Sequence, residues 1–161
     1  MFIVNWIVIA VVIAAVAAVV AGQLGFLRGT APADLGVRDA RLKPPSKTEN
    51  SVSSQAALYS DHPQRRYAGI APLALRGDGP ATVAKIKAIV EGMDGAKVIR
   101  SDPGYLYAQF TTRLMKYVDD VEFWFDPANQ VIQVRSASRV GRSDFGVNRK
   151  RIEAVRAALA L

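Results

Sequence analysis

The chain has no cysteine and a single histidine, His62, among its 161 residues. Without thiols there is no disulfide, no thiolate metal site and no lipid-modified cysteine, although this alone does not fix the compartment. One imidazole excludes the multi-histidine metal sites. No metal and no cofactor is therefore expected. The glycine and nucleophile signatures of common enzymes are also missing. There is no Gly-x-Ser-x-Gly elbow, no phosphate-binding P-loop and no dinucleotide fingerprint, and Gly77-Asp78-Gly79 alone reads as a turn. The last absence is the most informative: from Met1 to Leu27 there is no charged side chain.

What fills that stretch is almost unbroken Val, Ile and Ala from Phe2 to Gly22, interrupted by Asn5 and Trp6. Some 20 helical residues span roughly 30 Å, the thickness of a bilayer's hydrocarbon core. Residues 1–27 are read as a single-pass transmembrane anchor. The alternative is a cleaved signal peptide, for which the small residues around Ala18 to Gly22 would suit a peptidase. Against it, no Lys or Arg precedes the run, and the run is longer than a usual signal core. Ala10, Ala14, Ala18 and Gly22 form a ridge of the kind that lets another membrane helix approach, although plain alanine abundance is the preferred explanation. The basic residues that follow, Arg28, Arg38 and Arg41, would keep the remainder of the chain cytoplasmic by the positive-inside rule.

The formal net charge of +7 lies wholly after residue 27 and is uneven. Residues 28–47 carry +3, residues 135–156 carry +5, and the intervening 48–134 carry −1. Residues 28–66 read as an extended linker that is ordered by lying on the domain, with Pro32, Pro44, Pro45, Pro63 and the run Ser51-Val52-Ser53-Ser54 breaking any period. Residues 67–161 read as one α+β domain, small but able to bury a core. Tyr67 to Leu75 is a first strand. Asp78-Gly79-Pro80 starts a helix on which Val83, Ile86, Val90 and Met93 share a face. A short strand Lys97–Arg100 follows, then three longer ones, Tyr105–Leu114, Tyr117–Phe125 and Val131–Val140, with Asp126-Pro127-Ala128-Asn129 as a hairpin turn. A helix from Asn148 to Leu161 closes the chain. The order β-α-β-β-β-β-α favours an antiparallel sheet with helices on one face.

Strand alternation then sorts the side chains. Leu106, Ala108, Phe110 and Leu114, with Val121, Phe123, Phe125, Ile132 and Val134, should face the helices. The other face collects Tyr105, Tyr107, Arg113, Asp120, Glu122, Trp124, Arg135 and Arg139. One reading is a solvated face with cross-strand ion pairs worth about 0.2–1 kcal/mol each. The other is a binding surface, with aromatics giving contact area and arginines giving directed donors. Catalysis by Asp120 and Glu122 would need a nucleophile or activated water, and none is identified.

A second unusual segment is Gly141 to Arg151, which places Arg142, Arg149 and Arg151 near the start of the last helix, against its dipole. Compensation could come from Asp144 or the Asp119–Asp120 pair, or from an external anion such as a lipid headgroup. Nucleic acid is not expected as a partner, because the charged sheet face is near neutral and the chain carries an anchor.

Five stretches carry a family resemblance: Leu35 to Arg38, Asn50 to Gln55, Tyr117 to Phe123, Val134 to Gly141 and Ser143 to Arg149. On these the chain resembles the uncharacterised domain of unknown function family 1499, over about residues 35–160. The resemblance implies a bacterial or plastid-type protein, commonly exported or membrane-associated, with no established activity. It also implies a cysteine pair in many relatives, at positions held here by Pro45 and Ser51, and it favours a periplasmic rather than cytoplasmic domain. The expected function is a membrane-anchored, non-enzymatic binding or accessory domain that contacts a membrane protein complex or the membrane surface. The alternatives are an enzyme acting on a small anionic substrate and a lipid-headgroup binder.

Overall fold

The computed structural model describes residues 2–161. Helix α1, Phe2–Gln23, is long and apolar enough to cross a membrane, and a signal sequence passes the same test. Its C-terminal end touches the rest of the chain. The Gln23 side-chain amide donates to the Leu114 carbonyl at 2.8 Å. Gly22 lies so close to Met115 that an added Cβ would stand 2.6 Å from that residue's carbonyl oxygen. One member of the small-residue ridge is thus used within the chain.

The remainder is an antiparallel sheet with two long helices on one face. In chain order the elements are β1 Ser51–Ser53, a 3-10 turn Ala56–Leu58, α2 Arg65–Ala68, β2 Leu73–Ala74, α3 Gly79–Glu91, β3 Ala96–Asp102, β4 Tyr105–Thr111, β5 Val118–Asp126, β6 Val131–Ser138 and α4 Val147–Ala160. The sheet order is β1-β6-β5-β4-β3, and β2 also pairs with β6. The α+β reading therefore holds. The three long strands pair consecutively, as short hairpin connections require.

Asp78 caps α3, its carboxylate accepting from Ala81 N at 2.7 Å, and Pro80 sits in the first turn where no N–H is needed. Gly79 is fixed by packing, because a Cβ there would stand 2.2 Å from the Phe125 ring. Val83, Ile86 and Val90 of α3 and Ile152, Val155 and Leu159 of α4 meet Leu106, Ala108, Phe110, Val121, Phe123, Ile132 and Val134 in one core. Each fully buried aliphatic side chain contributes about 1.5–3 kcal/mol relative to exposure. Asp126 holds the β5–β6 hairpin by accepting from Ala128 N and Asn129 N.

Two expectations are corrected. Tyr67–Leu75 is not a strand: it begins within α2 and contributes only Leu73–Ala74 to the sheet. The carbonyls of Tyr67 and Gly69 are taken by the Arg149 guanidinium, and those of Ala71 and Pro72 by Arg156, so side chains of α4 replace the ladder. Leu114 does not face the helices. The β4 strand stops at Thr111, and residues 112–117 turn tightly, with Thr112 N donating to Tyr117 O and Lys116 at φ +57°. Leu114 is therefore exposed.

Candidate functional site

The register places Glu122 directly opposite both Tyr107 and Arg135, and Asp120 opposite Gln109 and Ala137. Most of the predicted charged face is thus assembled. It is not solvated, and this overturns the open-face expectation. Glu122 is 0 %, Asp120 1 % and Arg135 3 % exposed. The cover is the chain's own segment 34–46, laid across the sheet as a strap. Gly36 N donates to Glu122 Oε1 at 2.7 Å, and Arg135 Nε donates to the Pro44 carbonyl at 3.2 Å. Leu42 is buried with its N–H on Gln55 Oε1 at 2.8 Å. Ser46 N donates to Ser51 Oγ at 2.8 Å, so a hydrogen bond ties the strap to β1 beside Pro45.

Beneath the strap, Asp120 accepts a two-pronged contact from Arg139, Nε and Nη2 both at 2.8 Å, and the Tyr107 hydroxyl at 2.6 Å. Tyr105 donates its hydroxyl to Glu122 Oε1 at 2.7 Å. The Glu122–Arg135 pair is looser. Arg135 Nη1 stands 3.8 Å from Glu122 Oε2, and neither atom has a hydrogen-bond partner. Burial dominates both groups, pushing the Glu122 carboxyl up despite the Tyr105 and Gly36 bonds, and the Arg135 guanidinium down despite Glu122. Burial, and then the neighbouring Glu122 charge, pushes the Tyr105 hydroxyl far up, so it acts here as a donor. Of the remaining face residues, Trp124 and Tyr107 stay half-buried. Arg113 lies in the β4–β5 turn, exposed and away from this cluster.

Asp120 borders a hollow of about 200 Å³ with Lys43, Arg135 and Arg139, but Glu122 does not line it. Glu122 is sealed beneath the strap beside it. Among the described residues no group of three His, Asp or Glu side chains is placed to hold a metal.

Around the start of α4 the arginines are divided rather than gathered. Arg149 holds the Tyr67 and Gly69 carbonyls. Arg151 pairs with Asp119 at 2.6 Å, donates to Asn148 Oδ1 at 2.8 Å and lies over the Phe110 ring at 4.5 Å. Arg142 stays exposed. The three do not form one cluster, because two of the guanidiniums are used internally. Asp144 supplies the compensation at the helix start, accepting from Asn148 N at 2.8 Å and Gly146 N at 3.0 Å.

The fully buried Asn148 was not singled out from the sequence. Its amide donates to the Asn50 carbonyl at 3.1 Å and to Ser138 Oγ at 3.0 Å, while its carbonyl accepts from Ser136 and Arg151. Asn50 in turn donates to the Gly141 carbonyl at 2.7 Å. One polar network thus joins β1, β6, the Arg142 loop and α4. The only hint in the sequence was that Asn50, Ser136, Ser138 and Asn148 fall inside the family-like stretches.

The fold and this site define a class: an α+β domain behind an apolar N-terminal helix, with two buried polar networks and a strap across its sheet. The chain belongs to the family described as Protein of unknown function (DUF1499), which matches over residues 41–159. No curated protein and no solved structure matches the chain.

Proposed function

We propose that this protein is a membrane-anchored, non-enzymatic accessory domain, held by a retained α1 on the periplasmic side and acting on a membrane protein complex or at the membrane surface. One observation carries the reading. The end of α1 is fitted to the domain through Gln23 and Gly22, while Asp120, Glu122, Arg135 and Arg139 are spent on internal contacts. A cleaved leader has no reason to be matched to the folded domain, and a catalytic site has reason to keep its ionisable groups accessible. With the sheet face strapped over, contact falls to the end of the domain where α1 leaves it.

The test is extraction and topology together. Full-length protein from membranes should resist alkaline carbonate and retain the mass of an uncleaved N-terminus. A reporter fused after Leu161 should be active only in its periplasmic form. A carbonate-soluble protein shortened near Gly22 would overturn the anchor, and a reporter active only in the cytoplasm would overturn the side.

A further inference from the structure

We infer that the end of the domain around the exit of α1 is a bilayer-seating surface, inserting Phe145, Leu114 and Phe26 at the level of anionic lipid headgroups. The inference rests on the retained-anchor reading and gives it a second point of contact.

Three observations meet at this end. First, large apolar side chains stand in the open where a water-facing surface would not place them. Phe145 is 89 %, Phe26 77 % and Leu114 59 % exposed. Phe26, Tyr117, Phe145 and Val147 line one largely apolar hollow of about 490 Å³, and Leu114 holds Gln23 through its carbonyl. An exposed apolar patch marks an interaction site.

Second, a hydrogen-bonded turn holds Phe145 outward. Its φ is +51°, a left-handed conformation disfavoured for a bulky residue. The loop on either side is held firmly, Asp144 by Tyr67 and by the amides of Gly146 and Asn148. That φ belongs to the turn that Val147 N closes on the Asp144 carbonyl at 3.0 Å, with Phe145 N on Ser143 Oγ, but the ring the turn carries finds no cover in the fold.

Third, the charge fits. Arg28, Arg113, Lys116 and Arg142 lie on the same segments, and none of the four is in an ion pair among the described residues. Of the nearby acids, Asp119 is committed to Arg151 and Asp144 to the start of α4, while Glu49 beside Ser143 and Asp94 beside Val147 carry no ion pair among those residues, so the unpaired charge at this end stays positive. Apolar side chains ringed by free cations match a headgroup layer, where aromatics partition and basic groups meet anionic lipid. Because a membrane-spanning α1 leaves the bilayer at this point, the surface that occupies the patch is already adjacent.

The absence of native cysteine makes the test direct. Full-length single-cysteine variants at Phe145 and Leu114 would carry an environment-sensitive fluorophore in vesicles of phosphatidylcholine with phosphatidylglycerol. Two reference positions are Val12, within α1, and Asn129, at the β5–β6 hairpin, roughly 30 Å along β5 from this end. Labels at 145 and 114 should shift to the blue and lose emission to lipid-borne quenchers, as at 12, while the label at 129 stays aqueous. Arg142→Glu with Lys116→Glu should reduce quenching at 145 in the anionic vesicles and not in phosphatidylcholine alone. Aqueous labels at 145 and 114 beside a lipid-buried label at 12 would overturn the seating and leave the anchor intact. An aqueous label at 12 would overturn the anchor itself. Labels at 145 and 114 that are shielded from water yet untouched by lipid quenchers would assign the patch to a protein contact and overturn the inference.

Discussion

Replacing Arg135 by Met keeps most of the stem and removes the guanidinium from beneath the strap. In the intact protein its Nη1 faces Glu122 Oε2 at 3.8 Å, an attraction of about 4 kcal/mol at an effective dielectric near 20. Without it, Glu122 keeps the Tyr105 hydroxyl and the Gly36 amide on one oxygen, while the other is buried with no partner. Stranding one member of a buried pair costs about 3–5 kcal/mol, a large share of a typical stability of about 5–15 kcal/mol. The cost should depend on pH. Glu122 already lies above the ordinary glutamate value of 4.5 because burial disfavours its charge. A carboxyl raised on folding binds its proton more tightly when folded. Its contribution is complete below the unfolded value and is lost as pH rises through the folded one. Losing Arg135 raises the folded value further, so the deficit of R135M against wild type should be small near the unfolded value and grow towards neutral pH. Adding Glu122→Gln keeps an acceptor for Gly36 and Tyr105 and removes the charge. It should recover about 2–3 kcal/mol at neutral pH and abolish the extra pH dependence. Urea unfolding of the full chain in detergent micelles, followed by circular dichroism across this pH range, reads both effects. An R135M loss under about 1 kcal/mol at neutral pH, with no change across the range, would mean that the strap does not keep water from this face.

Two further substitutions test the frame around it. Asp144→Ala removes the acceptor for the Gly146 and Asn148 amides and should cost about 1–2 kcal/mol at neutral pH. Burial alone would raise this carboxyl, but the amide bonds from Asn148 and Gly146, with Tyr67, outweigh it and hold the group below the ordinary 3.8. Its contribution is therefore present above that value and lost as pH falls through the folded one, so the variant's deficit in acid-unfolding titrations should vanish at low pH. Gly79→Ala drives a methyl to 2.2 Å from the Phe125 ring and should cost about 1–3 kcal/mol through forced repacking, measured as a lowered midpoint in thermal unfolding.

The core was legible because it depends on periodicity. Val83, Ile86 and Val90 recur at helical spacing, Leu106, Ala108 and Phe110 alternate, and both patterns bury where alternation puts them. Parity likewise put Glu122 and Arg135 on one face. The strap was not legible. Segment 34–46 has no period, and what holds it is a set of backbone groups, Gly36 N, Leu42 N and the Pro44 carbonyl, each matched to one distant side chain. Such matches leave no pattern in sequence, so a covered face reads the same as an open one. Tyr67–Leu75 misled for a related reason: its residue types suit a strand, but its carbonyls belong to Arg149 and Arg156, some 80 residues away. Apolar alternation reports which face is inside and carries no signal about which arginine will reach a carbonyl.

The buried ions raise the question of why apolar residues do not occupy those positions, since such swaps are often neutral or stabilising elsewhere. The pairing of β5 with β6 supplies a reason. Apolar alternation forbids a slip of one residue, because that would turn Val121 and Phe123 outward. It permits a slip of two, which leaves every side chain on its own face. The charges and the strap together do not permit it. From the observed pairing of Glu122 with Arg135, a two-residue slip in one sense sets Glu122 opposite Ala137, and in the other opposite Gln133. The second slip leaves Asp120 opposite Arg135 and Glu122 without a cation of its own, whereas the first puts Glu122 where Asp120 now reaches Arg139 and loses instead the match to the strap. Alternation, ion pairing and the strap's contacts thus exclude different errors, and together they leave one register. That register puts Glu122 under Gly36 and Arg135 under Pro44, so the strap can close only over a correctly paired sheet.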